Sequence, residues 1–351
     1  MLAPLLHILP LTTIMRERLM PVSGTVLARA NQKVSPTDVV AQATWAREHV
    51  LVDVGTPLRL SPSVADRLIR CKVGDQLAAG AELAVGRGFF ARTIRTPKAG
   101  RVLAVGGGQV LLETAETNLQ LRAGLAGTVV QVIANRGVVI RNYGALIQGV
   151  WGNGRMDTGL LVNAMDNPGA VLTAGRFEVG MRGSIILAGM LRDAESLEAA
   201  VELPARGLIL SSMDPALLPL AGQTRLPILV TDGFGSIPMN SAAYKLLSTN
   251  AQREVTLNAE AFDRYSGARP DVFIPLPVAQ EPPEPLTSET FAPGLTVRIT
   301  RPPSQGAVGT IVSFPQGQTL MPSGLRVPAA EVKLESGEIL LVPLVNLEVV
   351  G

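Results

Sequence analysis

From Gly183 onward the apolar positions fall into unbroken runs, Ser184–Ala188, Gly207–Leu210 and Pro227–Val230, separated by stretches with helical spacing. Asp193 stands where it can cap a helix carrying Ala194, Leu197, Ala200 and Val201 on one face; Pro215 opens a helical turn, and Ser241–Ser248 reads as a third helix. Strands that are apolar at every position must be covered on both faces, so this rhythm predicts a small parallel α/β domain. The N-terminal third is patterned differently, in short β-branched runs each entered through a glycine. Pro21-Val22-Ser23-Gly24-Thr25-Val26-Leu27 is echoed by Pro97-Lys98-Ala99-Gly100-Arg101-Val102-Leu103 and more faintly by Ala126-Gly127-Thr128-Val129-Val130. A second phrase, Lys72-Val73-Gly74-Asp75 running to Leu83-Ala84, has a degenerate copy at Lys33–Ala41. Repeated turn-and-strand phrases predict a quasi-symmetric β unit.

Both phrases together resemble the barrel-sandwich hybrid of biotinyl and lipoyl carrier domains and their non-acylated relatives, over roughly Leu19–Glu113. The resemblance implies a fold more than a task. A carrier needs a lysine at an exposed hairpin tip, usually between methionines; no such phrase occurs, so a non-acylated module without a cofactor is expected. Near the C-terminus, Pro293-Gly294-Leu295-Thr296-Val297-Arg298-Ile299 runs into Gly306-Ala307-Val308-Gly309-Thr310-Ile311-Val312. This resembles the KOW-type motif of SH3-like barrels, and the strands Arg326–Leu334 and Ile339–Leu347, joined through Ser336-Gly337, would complete five. Between the α/β region and this end, Arg269–Pro293 is dense in proline and reads as a stiff, extended linker. The expected fold class is therefore multi-domain and β-rich with an α/β middle: a barrel-sandwich hybrid over 19–135, a small parallel α/β domain over 136–262, a Pro-rich linker over 263–290 and a KOW/SH3-like β-barrel over 291–351.

Composition supports several domains with many turns: 351 residues, 47% hydrophobic and 17% charged, with 35 Gly and 26 Pro. A net charge of +2 gives no general attraction to nucleic acid. The lone Cys71 excludes an intramolecular disulfide framework and fits a cytoplasmic location; with two histidines, the chain is short of ligands for a zinc site. The apolar segment Met1–Pro10 lacks a leading basic residue and is broken by Pro4 and Pro10, with Arg16, Glu17 and Arg18 close behind, so it does not read as a signal peptide. No uncharged run approaches the length of a membrane span.

The candidate chemistry is sparse. In parallel sheets ligands bind beyond the carboxyl ends of the strands, which here carry Ser211, Ser212 and Asp214, then Thr231, Asp232, Gly233 and Gly235. Glycines there would let the backbone approach a ligand, with Thr231 and Asp232 bonding to it, although any sharp strand-to-helix turn asks for the same residues. There is no phosphate loop with lysine, no nucleophile elbow, and His7 and His49 lie far from these loops. Trp151, set between glycines, is expected to pack against a turn. KOW-type barrels often sit in proteins that bind RNA, ribosomes or RNA polymerase, which makes Arg298, Arg301 and Arg326 candidate contacts to nucleic acid or a partner; Glu331, Glu335, Glu338 and Glu348 offset their charge. Three readings follow: a non-catalytic adaptor or scaffold for protein partners, favoured by the missing catalytic constellation; a nucleic-acid, ribosome or polymerase-associated factor; and an enzyme or small-ligand binder using Thr231–Gly235.

Overall fold

The computed structural model describes residues 1–86, 91–263 and 267–351; the parts of the 19–135 and 263–290 segments at 87–90 and 264–266 lie outside them. The chain is β-rich and divided among several sheets. No helix among the described residues is long and apolar enough to cross a membrane.

The strands Arg155–Asn163, Ser184–Leu191, Gly207–Met213 and Ile228–Phe234 run parallel in sequential order. Alternate residues of the last three go to opposite cores. Ile185, Leu187, Ile209 and Leu229 join Ala243 and Leu247 of the helix Ser241–Thr249. Ile186, Leu208, Leu210, Ile228 and Val230 join Leu197 and Ala200 of the helix Ala194–Glu202 and Ala221 of the helix Leu218–Gln223. Covering on both faces is why these runs are apolar throughout. Caps fix the helix starts: Asp193 Oδ1 accepts from the Ser196 N–H at 2.8 Å, and Asn240 Oδ1 from the N–H groups of Ala242 and Ala243. Trp151 packs edge-on against Phe234, ring centroids 6.3 Å apart, as its short strand pairs with Ile228–Phe234.

The sheet does not stop at the α/β layer. Arg155–Asn163 pairs antiparallel with Glu254–Ala259, which continues through Asp271–Pro275 to Gly137–Gln148. Here the structure departs from the linker expectation: Asp271–Pro275 is an interior strand with Val272, Phe273 and Ile274 fully buried. Prolines bracket this apolar run at its ends, where a missing N–H breaks no ladder. The rest of the proline-rich stretch lies on the protein as well, with Thr13 N–H donating to the Pro283 carbonyl at 3.0 Å and Tyr143 Oη to Glu281 at 3.0 Å.

The N-terminal repeats sort into two separate cores. Strands Val39–Asp53 and Gln109–Arg122 pair along their whole length as a ribbon, about 50 Å long at roughly 3.3 Å per residue. At its base, Val34, Val40, Leu125, Val129, Val138 and Ile140 form one core with Ile14 and Phe273. At its tip, residues 54–108 form another around Val54, Ala65, Leu83, Val102, Val110 and Leu112. The first and third glycine phrases and the Lys33–Ala41 copy belong to the base, the Lys72–Ala84 phrase and Pro97–Leu103 to the tip. The repetition is physical. Asp38 Oδ2 accepts from Ser35 N–H and Asp75 Oδ2 from Lys72 N–H, both at 2.8 Å, making the same turn twice. A Cβ on Gly24, Gly100 or Gly127 would overlap the carbonyl oxygen of Gln42, Glu113 or Arg141 on the neighbouring strand.

The C-terminal region is a six-stranded sheet in the order Leu5–Leu6, Leu347–Val350, Thr296–Ile299, Val308–Ser313, Ala329–Leu334, Ile339–Pro343, around Val297, Ile299, Ile311, Val332, Val342, Leu347 and Val349. The expected strands Arg326–Leu334 and Ile339–Leu347 are each interrupted, at Pro328 and by the turn Leu344–Asn346 that follows Pro343, where proline cannot donate to a ladder. The start of the chain is built into this sheet: Leu5–Leu6 runs parallel to Val349–Val350, and Leu2–Ala3 pairs with Glu289–Thr290.

Candidate functional site

The carboxyl ends of the parallel strands and the C-terminal sheet meet, and of the predicted residues Thr231, Asp232 and Arg298 meet with them. Asp232 sits at the end of its strand with its side chain 1% exposed. It accepts from Thr231 Oγ1 at 2.6 Å and from the Asn240 N–H at 3.2 Å, both on Oδ2. Arg298 reaches across from the strand Thr296–Ile299, donating to the Thr231 carbonyl at 3.1 Å and to Asp232 Oδ1 at 3.4 Å. Its other amino nitrogen donates to Glu348 at 2.7 Å, and Glu348 also accepts from Arg269. Two carboxylates and two guanidinium groups thus form a chain whose charges cancel. Burial pushes the Asp232 carboxyl above the usual carboxylate range; Arg298, the Thr231 hydroxyl and the Asn240 N–H pull it back without cancelling that rise.

This geometry revises the roles expected from sequence. Arg298 is buried, with a side chain 3% exposed and spent on Asp232 and Glu348, so it is not a surface contact for phosphate or partner. Arg301 and Arg326 are exposed, and the structure does not bring them to Arg298's site. Ser212 Oγ is taken by the Ile237 N–H at 3.0 Å, while Ser211 is fully buried with its hydroxyl unpartnered among the described residues. Asp214 caps the turn Pro215–Leu217 through the Ala216 N–H, at 2.9 Å. Gly233 and Gly235 adopt positive φ, and Gly233 abuts Ile237 and Gln305, a loop of the C-terminal sheet. The loop at Thr231–Gly235 therefore holds two parts of the molecule together. Among the described residues the groups that hydrogen-bond to this carboxylate are the Thr231 hydroxyl, the Arg298 guanidinium and the Asn240 N–H.

A second feature was not anticipated. A groove of about 1040 Å³ opens between the strand Ile8–Leu19, the end of Glu254–Ala259, Arg269 and residues 284–287. Its walls carry ion pairs joining distant segments: Arg16 with Asp271 at 2.6 Å and Arg18 with Glu260 at 2.6 Å, beside the Arg269–Glu348 pair. His7 lies at one end, its ring nitrogen 3.0 Å from the Leu286 carbonyl, and burial lowers its pKa. The sequence signal was Arg16 and Arg18 two residues apart at the end of the strand, which puts both on one face. Among the described residues no three His, Cys, Asp or Glu side chains gather as a metal site requires. No protein-family model matches the chain, and no curated protein is detectably similar in sequence.

Proposed function

We propose that this chain is a non-catalytic adaptor that presents the module at residues 54–108 to a protein partner at the end of a β-ribbon. The observation that carries the reading is the module's isolation. It has its own core, and the hydrogen bonds and ion pairs of its described residues go to one another and to the ribbon, as with Lys98 to Glu48 and Arg101 to Glu113. Val64 and Val73 stay 43% and 65% exposed on it, and Leu51 on the ribbon 58%. A module whose described hydrogen bonds, ion pairs and core stay within itself and its ribbon adds little to the stability of the body, so a role in contacting another molecule accounts for it better. Spending Asp232 and Arg298 on an internal latch supports the same reading, since it leaves the small-ligand and nucleic-acid alternatives without their central residues.

We further infer that base and tip are each of the barrel-sandwich-hybrid type, on the strength of their shared aspartate turns and pressed glycines. The C-terminal sheet fits an SH3-like barrel of KOW type: a Cβ on Gly309 would overlap the Lys333 carbonyl, so its glycine has the same close-approach duty. The buried, unpaired Cys71 suits a reducing compartment, and we place the adaptor in the cytoplasm.

Replacing residues 54–108 by Asn-Gly would close the ribbon with a two-residue hairpin between Asp53 and Gln109, which already face each other. Photo-crosslinkers at Val64 and Val73 in the intact chain should label a partner protein in the native host's extract. Label confined to crosslinkers placed on the body, at Arg301 or Arg326, would contradict the proposal.

A further inference from the structure

The strand Ile8–Leu19 has one edge paired along its length with Gly137–Gln148. Its other edge is only partly used. Thr13 N–H donates outward to the Pro283 carbonyl at 3.0 Å, and Thr12 Oγ1 donates to the same oxygen at 2.8 Å, so an extended piece of the chain's own proline-rich segment already lies on that edge. In an antiparallel ladder the residues with outward backbone groups alternate. Met15, Glu17 and Leu19 therefore also present N–H and C=O outward, and these have no hydrogen-bond partner among the described residues. This stretch forms one wall of the groove described above.

We propose that the free edge at Met15–Leu19 takes an extended, non-acidic peptide of a partner protein as an additional strand, prolonging the pairing that Pro283 begins. Unused N–H and C=O groups in register supply the affinity of such strand addition, and side chains along the edge supply its selectivity. Met15 and Leu19 are 43% and 41% exposed on one face of the strand, which calls for apolar residues at alternate positions of the occupant. Toward the groove Arg16, Arg18 and Arg269 are already matched by Asp271, Glu260 and Glu348, while Glu17 and Glu284 line it with no ion pair among the described residues, so an acidic occupant would meet unmatched carboxylates there. The edge lies along a groove walled by residues 284–287 and by Phe262 and Arg269; two copies of the chain, each with its edge recessed, could not bring those edges together, whereas a single strand can enter.

The test is selection of short random peptides displayed on phage against the full chain, followed by hydrogen exchange at single-amide resolution. Without peptide, the amides of Met15, Glu17 and Leu19 should exchange fast while those of Arg16 and Arg18, paired to Gly137–Gln148, are protected. Selected peptides should be non-acidic with apolar alternation and should protect the three fast amides. Glu17→Pro removes one outward N–H at an edge position that tolerates proline and should weaken binding about tenfold or more, while Glu17→Gln, which keeps the N–H, should weaken it far less. Peptides that leave the three amides fast, peptides indifferent to Glu17→Pro, or no selected peptide at all would each overturn the proposal. Self-association lost in Glu17→Pro would overturn it in favour of pairing between copies. The exchange pattern is read on the unmodified chain, so it decides the matter even if the proline variant fails to fold.

Discussion

At the scale of single residues, space and charge at a few positions set the constraints. Gly144 sits where the long strand Gly137–Gln148 is shared between two pairings, and a Cβ there would overlap the Ile274 carbonyl and crowd the Phe273 ring. Gly144→Ala should lower stability by about 1–3 kcal/mol, the range for overpacking a filled core, as read from denaturant midpoints; an unchanged midpoint would show that the neighbouring strand gives way freely. Arg298 should matter more. Arg298→Met leaves Asp232 buried without its counter-charge and should cost about 3–5 kcal/mol. Adding Asp232→Asn should recover much of the loss, because Glu348 keeps Arg269; a double variant as unstable as the single one would mean the latch is not electrostatic. For His7, burial lowers the pKa below the ordinary 6.5, with Arg269 acting the same way and the Leu286 carbonyl and Gln148 opposing. The unfolded chain then binds the proton first as pH falls. Stability is held above about 6.5 and lost as pH drops from there toward the lower folded value. His7→Gln should flatten that part of the curve, and parallel slopes in variant and wild type would sink the assignment.

At the scale of elements, legibility in the sequence followed locality. Three of the four parallel strands and the helices Ala194–Glu202 and Ser241–Thr249 could be read because each carries its own local period, with the caps Asp193 and Asn240 at the helix starts, whereas Arg155–Asn163, with Arg155, Asp157 and Thr158, shows no apolar run. The repeated aspartate turns could be read as repeats for the same reason. What escaped depends on partners far away along the chain. The Asp271–Pro275 strand hides among prolines that locally signal a linker, and only its burial between Glu254–Ala259 and Gly137–Gln148 makes it a strand. Leu5–Leu6 pairs with Val349–Val350 at the opposite end of the sequence, so nothing near it announces a strand. Asp232 and Arg298 were each picked out, for separate roles, yet 66 residues separate them and no spacing rule links a strand-end carboxylate to an arginine in another sheet. The two cores at either end of the ribbon escaped because the repeated phrases are alike, and similarity alone does not say which copies pack together.

At the scale of the whole molecule, these links divide the chain into a tied body and an untied tip. The N-terminal strands, the C-terminal sheet and the α/β layer are joined by Leu5–Leu6, by the Asp232–Arg298–Glu348–Arg269 chain and by the proline-rich segment lying on Thr12 and Thr13. Among the described residues the hydrogen bonds, ion pairs and core of the module at 54–108 run within the module and to its ribbon. An adaptor needs this division, with a rigid frame and a surface left over for something else. The most direct measurement is affinity capture from the native host with the intact chain and with the chain whose residues 54–108 are replaced by Asn-Gly, each with and without nuclease, after checking that both bodies melt alike. The account predicts a protein partner that survives nuclease and is lost with the tip. The same partners held equally by both chains, or partners that vanish with nuclease, would contradict it.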